Sequence, residues 1–271
     1  MDEPRATPAV PELRAYWERR LDADYGLGGV GYIGLGEGFN RWGYRARRRV
    51  FLRTMRQFVA PGARVLDLGS GTGFYLERWR ELRAGSIVGS DITEVAVTRL
   101  AERHPHVEMT RFDAGDKMLP WEEESFDAIS AMDVLFHIVD DERFRRALHN
   151  AGRLLRPGGV LVFSDLFVHG LPWRVSHQAI RSLDDITSAV EQAGLEVELR
   201  RPMLVLLNSP VDTRSRLLRA GWAALRGAAR RGEALGTAVG AAVYPFEVAL
   251  AALLREGPSA EIMVCRRPER P

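Results

Sequence analysis

The residues best spaced for chemistry begin at Asp67. The apolar run Val65-Leu66-Asp67-Leu68 leads straight into Gly69-Ser70-Gly71-Thr72-Gly73, a G-x-G-x-G turn, and then into a helical segment starting at Phe74. Glycines there let a ligand lie close to the backbone, and the first N–H groups of the following helix have no partners within it. Taken alone, the turn suits a dinucleotide, with Asp91 at the end of the next strand as the acid for the ribose. The fourth strand ends in Ala131-Met132-Asp133-Val134-Leu135-Phe136-His137. An open α/β sheet places its ligand crevice at such strand ends. His137 is therefore the candidate general base, because imidazole titrates near neutrality. Asp133, His169 and His177 are weaker alternatives.

These groups need a scaffold, and the pattern after Pro61-Gly62 supplies one. Short apolar runs at 64–68, 86–90, 106–112, 126–132 and 159–168 alternate with amphipathic helices near 74–83, 93–103, 141–155 and 182–193. That alternation predicts β-α-β units and a parallel sheet. Arg156-Pro157-Gly158-Gly159 is expected to stop the helix before it and turn the chain, and Ser182 is the expected N-cap of the last helix. Runs at 195–207 and 260–265 complete seven strands. Between them, 210–257 has helical periodicity, with a helix over 213–231 carrying Leu217, Leu218, Trp222 and Leu225 on one face. Packing of that face on the core is the favoured reading, and peripheral membrane contact through its arginines the lesser one.

Ahead of the first strand, eight of the eighteen positions from Gly26 to Gly43 are glycine, interleaved with aromatics. Gly29-Val30-Gly31-Tyr32-Ile33-Gly34 matches G-x-G-x-x-G, but no strand precedes it, so a flexible aromatic lid is expected in place of a nucleotide loop. Of 271 residues 46% are hydrophobic and 27% charged, an ordinary globular composition that excludes disordered, coiled-coil and collagen-like chains. Net charge is +2, and Lys117 is the only lysine among 38 basic residues. The balance argues against a nucleic-acid surface. One cysteine, Cys265, can form neither an internal disulfide nor a thiolate cluster, the start Met1-Asp2-Glu3-Pro4 is unlike a secretory signal, and the cytosol is the expected compartment. The apolar stretch Ala234–Leu254 contains Glu247 and Pro245, which argues against a membrane span.

From residue 60 to about 200 the chain resembles the class I S-adenosylmethionine-dependent methyltransferases. Asp67, Gly69, Gly71 and Gly73 match the family's first motif, Asp91 the acid after the second strand, and Asp113 the acid after the third. Leu119-Pro120-Trp121 with Ser125-Phe126-Asp127-Ala128-Ile129 is similar to its entry into the fourth strand, and Leu154-Leu155-Arg156-Pro157-Gly158-Gly159 to its fifth-strand signature. The resemblance implies a Rossmann-like α/β sheet of seven mostly parallel strands flanked by helices, with S-adenosyl-L-methionine as cofactor and no metal. Its site would hold Asp67, Gly69, Ser70, Gly71, Gly73, Asp91, Ile92, Asp113, Ala114 and Met132. Asp91 would take the ribose hydroxyls, Asp113 the adenine amino group, and Ile92 and Ala114 would form apolar walls.

The expected organisation is a lid and helical cap at 1–59, a methyltransferase core at 60–209, a substrate-capping insertion at 210–257 and a last strand and tail at 258–271. The expected reaction is methylation of a small-molecule acceptor, with oxygen preferred because of His137. Nitrogen or carbon acceptors, a macromolecular substrate, and a cofactor-binding protein that transfers no methyl, such as a cyclase, are the alternatives. The oligomeric state is left open.

Overall fold

The structure, a computed structural model, describes residues 10–32 and 34–270. The acidic start Met1–Pro4 and Ile33 lie outside the described residues. Three helices precede the sheet: α1 (Val10–Ala23), α2 (Leu27–Val30) and α3 (Gly36–Met55). Then follow β1 (Arg64–Leu68), α4 (Phe74–Glu81), β2 (Ser86–Asp91), α5 (Glu94–Arg103), β3 (Glu108–Arg111), β4 (Phe126–Ala131), α6 (Asp141–Leu154) and β5 (Leu155–Asp165). The second half holds β6 (Trp173–Val175), β7 (Gln178–Ile180), α7 (Leu183–Gln192), β8 (Glu196–Pro202), α8 (Arg216–Ala229), α9 (Glu233–Leu253) and β9 (Glu261–Arg266).

Seven strands form one sheet in the order β3-β2-β1-β4-β5-β9-β8. Neighbours from β3 to β5 pair in parallel, and β9 runs antiparallel to both β5 and β8. The expected seven-stranded, mostly parallel sheet is present. Because strand side chains alternate, Val65 and Ile87 join the core on one face while Leu66 and Val88 join the core on the other. Phe51, Leu76 and Trp79 from α3 and α4 fill the first face, and Phe144, Leu148 and Ile186 from α6 and α7 fill the second. The strand order reverses at β1/β4, so their carboxyl ends open a crevice between the loops that follow them.

Several elements depart from their sequence-based bounds. Ser182 does cap α7, accepting from the Asp185 N–H. The Pro157-Gly158 turn signal, however, lies inside β5: the helix stops at Leu154, and an irregularity between Phe126 and Ala128 of β4 absorbs the extra residues. β8 ends at Pro202, not 207, because the Glu247 carboxylate accepts the N–H groups of Val205, Leu206 and Leu207 and bends them out of the sheet. The β6/β7 hairpin had no counterpart in the pattern. The glycine-rich stretch is not a loose loop either: Gly36, Gly38 and Gly43 lie within α3, whose first free N–H groups, Glu37 and Gly38, donate to the Glu233 carboxylate of α9. Leu217, expected on a packed face of α8, is 85% exposed, while Trp222 is buried against Tyr32 and Phe39.

Candidate active site

Gly69, Gly71 and Gly73 have φ values of 68°, 54° and 85°, the left-handed region that side chains resist. Their surroundings separate their roles. A Cβ on Gly69 would meet Val134 at 2.4 Å and one on Gly73 would meet Leu100 at 2.6 Å, so these two glycines permit packing. A Cβ on Gly71 would meet nothing nearer than Val30 at 3.6 Å, and its backbone faces a cavity of about 560 Å3. Gly69, Ser70, Gly71, Asp91, Ile92, Asp113, Ala114 and Met132 all line that cavity, as does His137. Asp67 and Gly73 do not. The Asp67 side chain lies beneath the loop, where Oδ1 accepts from the Ser130 hydroxyl at 2.5 Å, and burial pushes its carboxyl up to about 7.

Asp91 is buried at the cavity wall. Its Oδ1 accepts from the Thr93 N–H and hydroxyl, at 2.9 and 2.7 Å, and its Oδ2 accepts from the Gly71 N–H at 2.9 Å. Burial raises its pKa while these three bonds oppose the rise. The second lone pair of Oδ2 remains for a ligand hydroxyl. Asp113 bonds the Gly115 N–H at 2.9 Å and Arg143 at 2.9 Å, so Arg143, thirty residues away in sequence, joins this end of the cavity.

The other end is built from the ends of β4 and β5. Asp133, with φ of 59°, turns its carboxylate onto the Arg47 guanidinium at 2.6 Å and accepts the Ser164 hydroxyl at 2.9 Å. Asp165, one residue on, is 1% exposed. Its Oδ1 accepts the Leu166 N–H at 2.7 Å, and its Oδ2 has no hydrogen-bond partner among the described residues. Burial pushes Asp165 up to about 7, with nearby Arg181 opposing. The pattern passed over Asp165 because the strand read through to 168 placed it mid-strand. Its standing at the end of a strand beside the fourth was the available signal.

His137 sits on a single 3-10 turn, Leu135–His137, packed edge-on to Trp17 of α1 at 4.6 Å. Its Nδ1 is 2.7 Å from the His177 carbonyl, which can only accept, so Nδ1 carries the proton and Nε2 keeps its lone pair. Burial pushes its pKa down to about 4. Proton uptake on unfolding then makes His137 a source of stability present above its ordinary 6.5 and lost as pH falls toward 4. In an NMR titration of the imidazole resonances, His137 is expected to remain neutral down to about pH 5, while His169, bonded to Asp212, titrates above its ordinary value. A His137 midpoint above 6 would show that the ring is not buried as described.

The helices ahead of β1 are fastened down. The Glu18 carboxylate of α1 accepts the N–H groups of Glu94 and Val95 at the start of α5, and the Tyr25 hydroxyl donates to the Gly71 carbonyl at 2.9 Å. Glu18→Ala is expected to speed amide exchange across α1 by about tenfold or more, the scale of one or two lost charge-assisted bonds, without changing exchange in β1 or β4. Unchanged exchange in α1 would remove Glu18 as its fastening.

The comparisons with known proteins bear on this part of the chain. Residues 65–159 match the model of a methyltransferase domain. That segment carries a methyltransferase domain. Among the relatives, methyltransferase GfsG of Streptomyces halstedii is 31% identical over 157 residues, covering 56% of this chain and 51% of that protein. The 27-O-demethylrifamycin SV methyltransferase of Amycolatopsis mediterranei is 30% identical over 156 residues, covering 52% and 56%. The chain thus spans about half the length of these curated relatives. Among solved structures, the N-methyltransferase NodS from Bradyrhizobium japonicum, in complex with S-adenosyl-L-homocysteine, covers 95% of this chain and 99% of its own at a TM-score of 0.57 and 16% identity. The [4+2]-cyclase SpnF aligns over 82% and 81% at 0.52 and 24%. These two likenesses establish the fold of the methyltransferase domain. S-adenosylmethionine, the cofactor that the sequence resemblance implies, fits the residues present. Gly71 leaves a cradle that a side chain would fill, Asp91 holds a free lone pair at the strand end, and Ile92 and Ala114 border the same wall.

Proposed function

We propose that the protein transfers the methyl group of S-adenosylmethionine to a hydroxyl of a largely apolar small molecule. The observation that carries this reading is the unpartnered Asp165 Oδ2, buried at the wall of the cavity that Gly71 and Asp91 also line. When bound, the cofactor supplies an electrophilic methyl on a sulfonium. Gly71 and Asp91 would hold its amino-acid and ribose ends, Asp113 its adenine amino group, and Ile92, Ala114 and Met132 would supply apolar walls.

Such a transfer needs little covalent assistance, so most of the acceleration comes from orientation. A hydroxyl also has a proton to lose. Asp165, with a pKa of about 7, is poised to receive it at neutral pH, whereas His137, at about 4, is the poorer base. His137 keeps a packing part, edge-on to Trp17 at the wall of the same cavity. Trp17, Phe136, Val175 and Leu207 give the acceptor an apolar surround. The oxygen named in the 27-O-demethylrifamycin relative agrees with this preference.

The test is incubation with methyl-labelled S-adenosylmethionine and a panel of apolar alcohols, phenols and amines matched in shape. Labelled methyl ethers, formed at a rate that rises through an apparent pKa near 7, are expected. Label confined to amine products would overturn the choice of oxygen.

A further inference from the structure

Helix α9 has two different faces. One is buried and polar in its function: Gly236 and Gly240 admit α3, and Glu247 holds the backbone of 205–207 at the cavity wall. The other carries no charge. Leu235, Ala238, Ala242, Pro245, Phe246, Ala249, Ala252 and Leu253 are all exposed and fall within one 120° stripe at 100° per residue. Phe246 is 65% and Leu253 79% exposed. From Leu235 to Leu253 the stripe is about 27 Å long. An exposed apolar strip of that length is uncommon unless something covers it. α9 is the described helix with the length and apolarity to cross a membrane, but Glu247, bonded to three backbone N–H groups, ties it to the domain.

What covers the strip is indicated by its neighbour. α3 lies against α9, with Trp42 and Tyr244 meeting at the seam at 5.2 Å. The solvent side of α3 is an arginine row, Arg41, Arg45, Arg48, Arg49, Arg53 and Arg56. Arg45 stacks on Trp42. Glu37 pairs with Arg41, and Glu81 pairs with Arg48 and attracts Arg56, while Arg45, Arg49 and Arg53 form no ion pair with a carboxylate among the described residues. The bordering acid Glu233 is spent on the N–H groups of α3. An apolar strip on a helix packed beside one whose solvent side carries an arginine row matches the acyl boundary and the anionic headgroups of a lipid surface. A second copy docked face to face about a two-fold axis would bring its own arginine row toward this one. We infer that α9 and the arginine row of α3 form a docking face for an anionic bilayer, with Phe246 and Leu253 entering the acyl boundary. The sequence pattern had sought such a surface on the 213–231 helix. The structure moves it to α9 and α3.

The test is co-sedimentation of the full chain with vesicles of phosphatidylcholine alone and of phosphatidylcholine mixed with phosphatidylglycerol. Binding to the mixed vesicles, weakened by added salt, is expected. Phe246→Asp with Leu253→Asp, and separately Arg45→Glu with Arg49→Glu, are each expected to weaken it by about tenfold or more. S-adenosylmethionine binding and the thermal midpoint, measured on the same preparations, are expected to hold, because none of the four residues lines the cavity or is buried. Absence of binding to the mixed vesicles overturns the inference, as does equal, salt-insensitive binding to neutral vesicles. A concentration-dependent dimer dissolved by Phe246→Asp also overturns it, by assigning the strip to a second copy.

Discussion

Replacing Asp165 with asparagine is expected to lower turnover by at least about a hundredfold while cofactor affinity stays within about twofold, the ordinary loss when a positioned base is removed. The substitution keeps size and the hydrogen bond from the Leu166 N–H, so the acceptor pocket keeps its shape. It should also alter stability in a characteristic direction. The folded-state pKa of Asp165 is raised to about 7, so the fold favours the protonated acid, and the stability it contributes is present below the ordinary 3.8 and lost as pH rises through 7. Asparagine carries no such penalty. The Asp165→Asn protein is therefore expected to melt higher than the parent at pH 8, with a gap on the order of 1.4 kcal/mol for each unit of pKa displacement, and the gap should close toward pH 4. Catalysis lost while alkaline stability is gained is a combination that a merely structural aspartate would not produce. Parental turnover in a folded Asp165→Asn protein would remove the base.

The second large effect separates the three glycines of the loop. Gly71→Val is expected to abolish measurable S-adenosylmethionine binding, because its side chain would project where the cavity meets the backbone, while its protein neighbours leave it room. The φ of 54° adds a cost of about 1–3 kcal/mol for a branched residue, so the protein should melt lower but still fold. Gly73→Ala should do the reverse in proportion: its Cβ would strike Leu100 and approach His104, lowering the melting temperature more than the affinity. Asp91→Ala is expected to weaken binding by about 1.5–3 kcal/mol, the scale of hydrogen bonds to a charged group. It also leaves the Gly71 and Thr93 N–H groups unpaired, so Asp91→Asn is the cleaner comparison. Calorimetric titration with each variant checks the set.

The sheet was legible because a buried parallel strand needs an unbroken apolar run and a crossover helix needs an amphipathic one, and each signal is local. The loop Gly69–Gly73 and Asp91 were legible for the same reason. What escaped reading depends on partners remote in sequence. Nothing near Asp165 shows that its Oδ2 would be left without a donor, and nothing near Arg143 shows that it would reach Asp113. The early end of β8 follows from Glu247, more than forty positions later, drawing three N–H groups out of the ladder. Glycine-rich 26–43 looked flexible because glycine lowers helix propensity locally. It folds because Glu233 caps α3 from another helix and Phe39 is buried there. His137 was chosen on the free imidazole's titration, and burial under Trp17 moves that titration out of the neutral range.

The claim that the cavity is a methyl-donor site is tested most directly by calorimetric titration of the parent protein with S-adenosylmethionine, S-adenosylhomocysteine and NAD. The glycine loop and Asp91 engage parts shared by the first two ligands, so those should bind with comparable affinity and compete for a single site, and both should weaken in Gly71→Val. NAD should give no heat of binding. Tighter binding of NAD than of S-adenosylmethionine, or S-adenosylmethionine binding that survives Gly71→Val unchanged, would contradict the placement of the donor in this cavity.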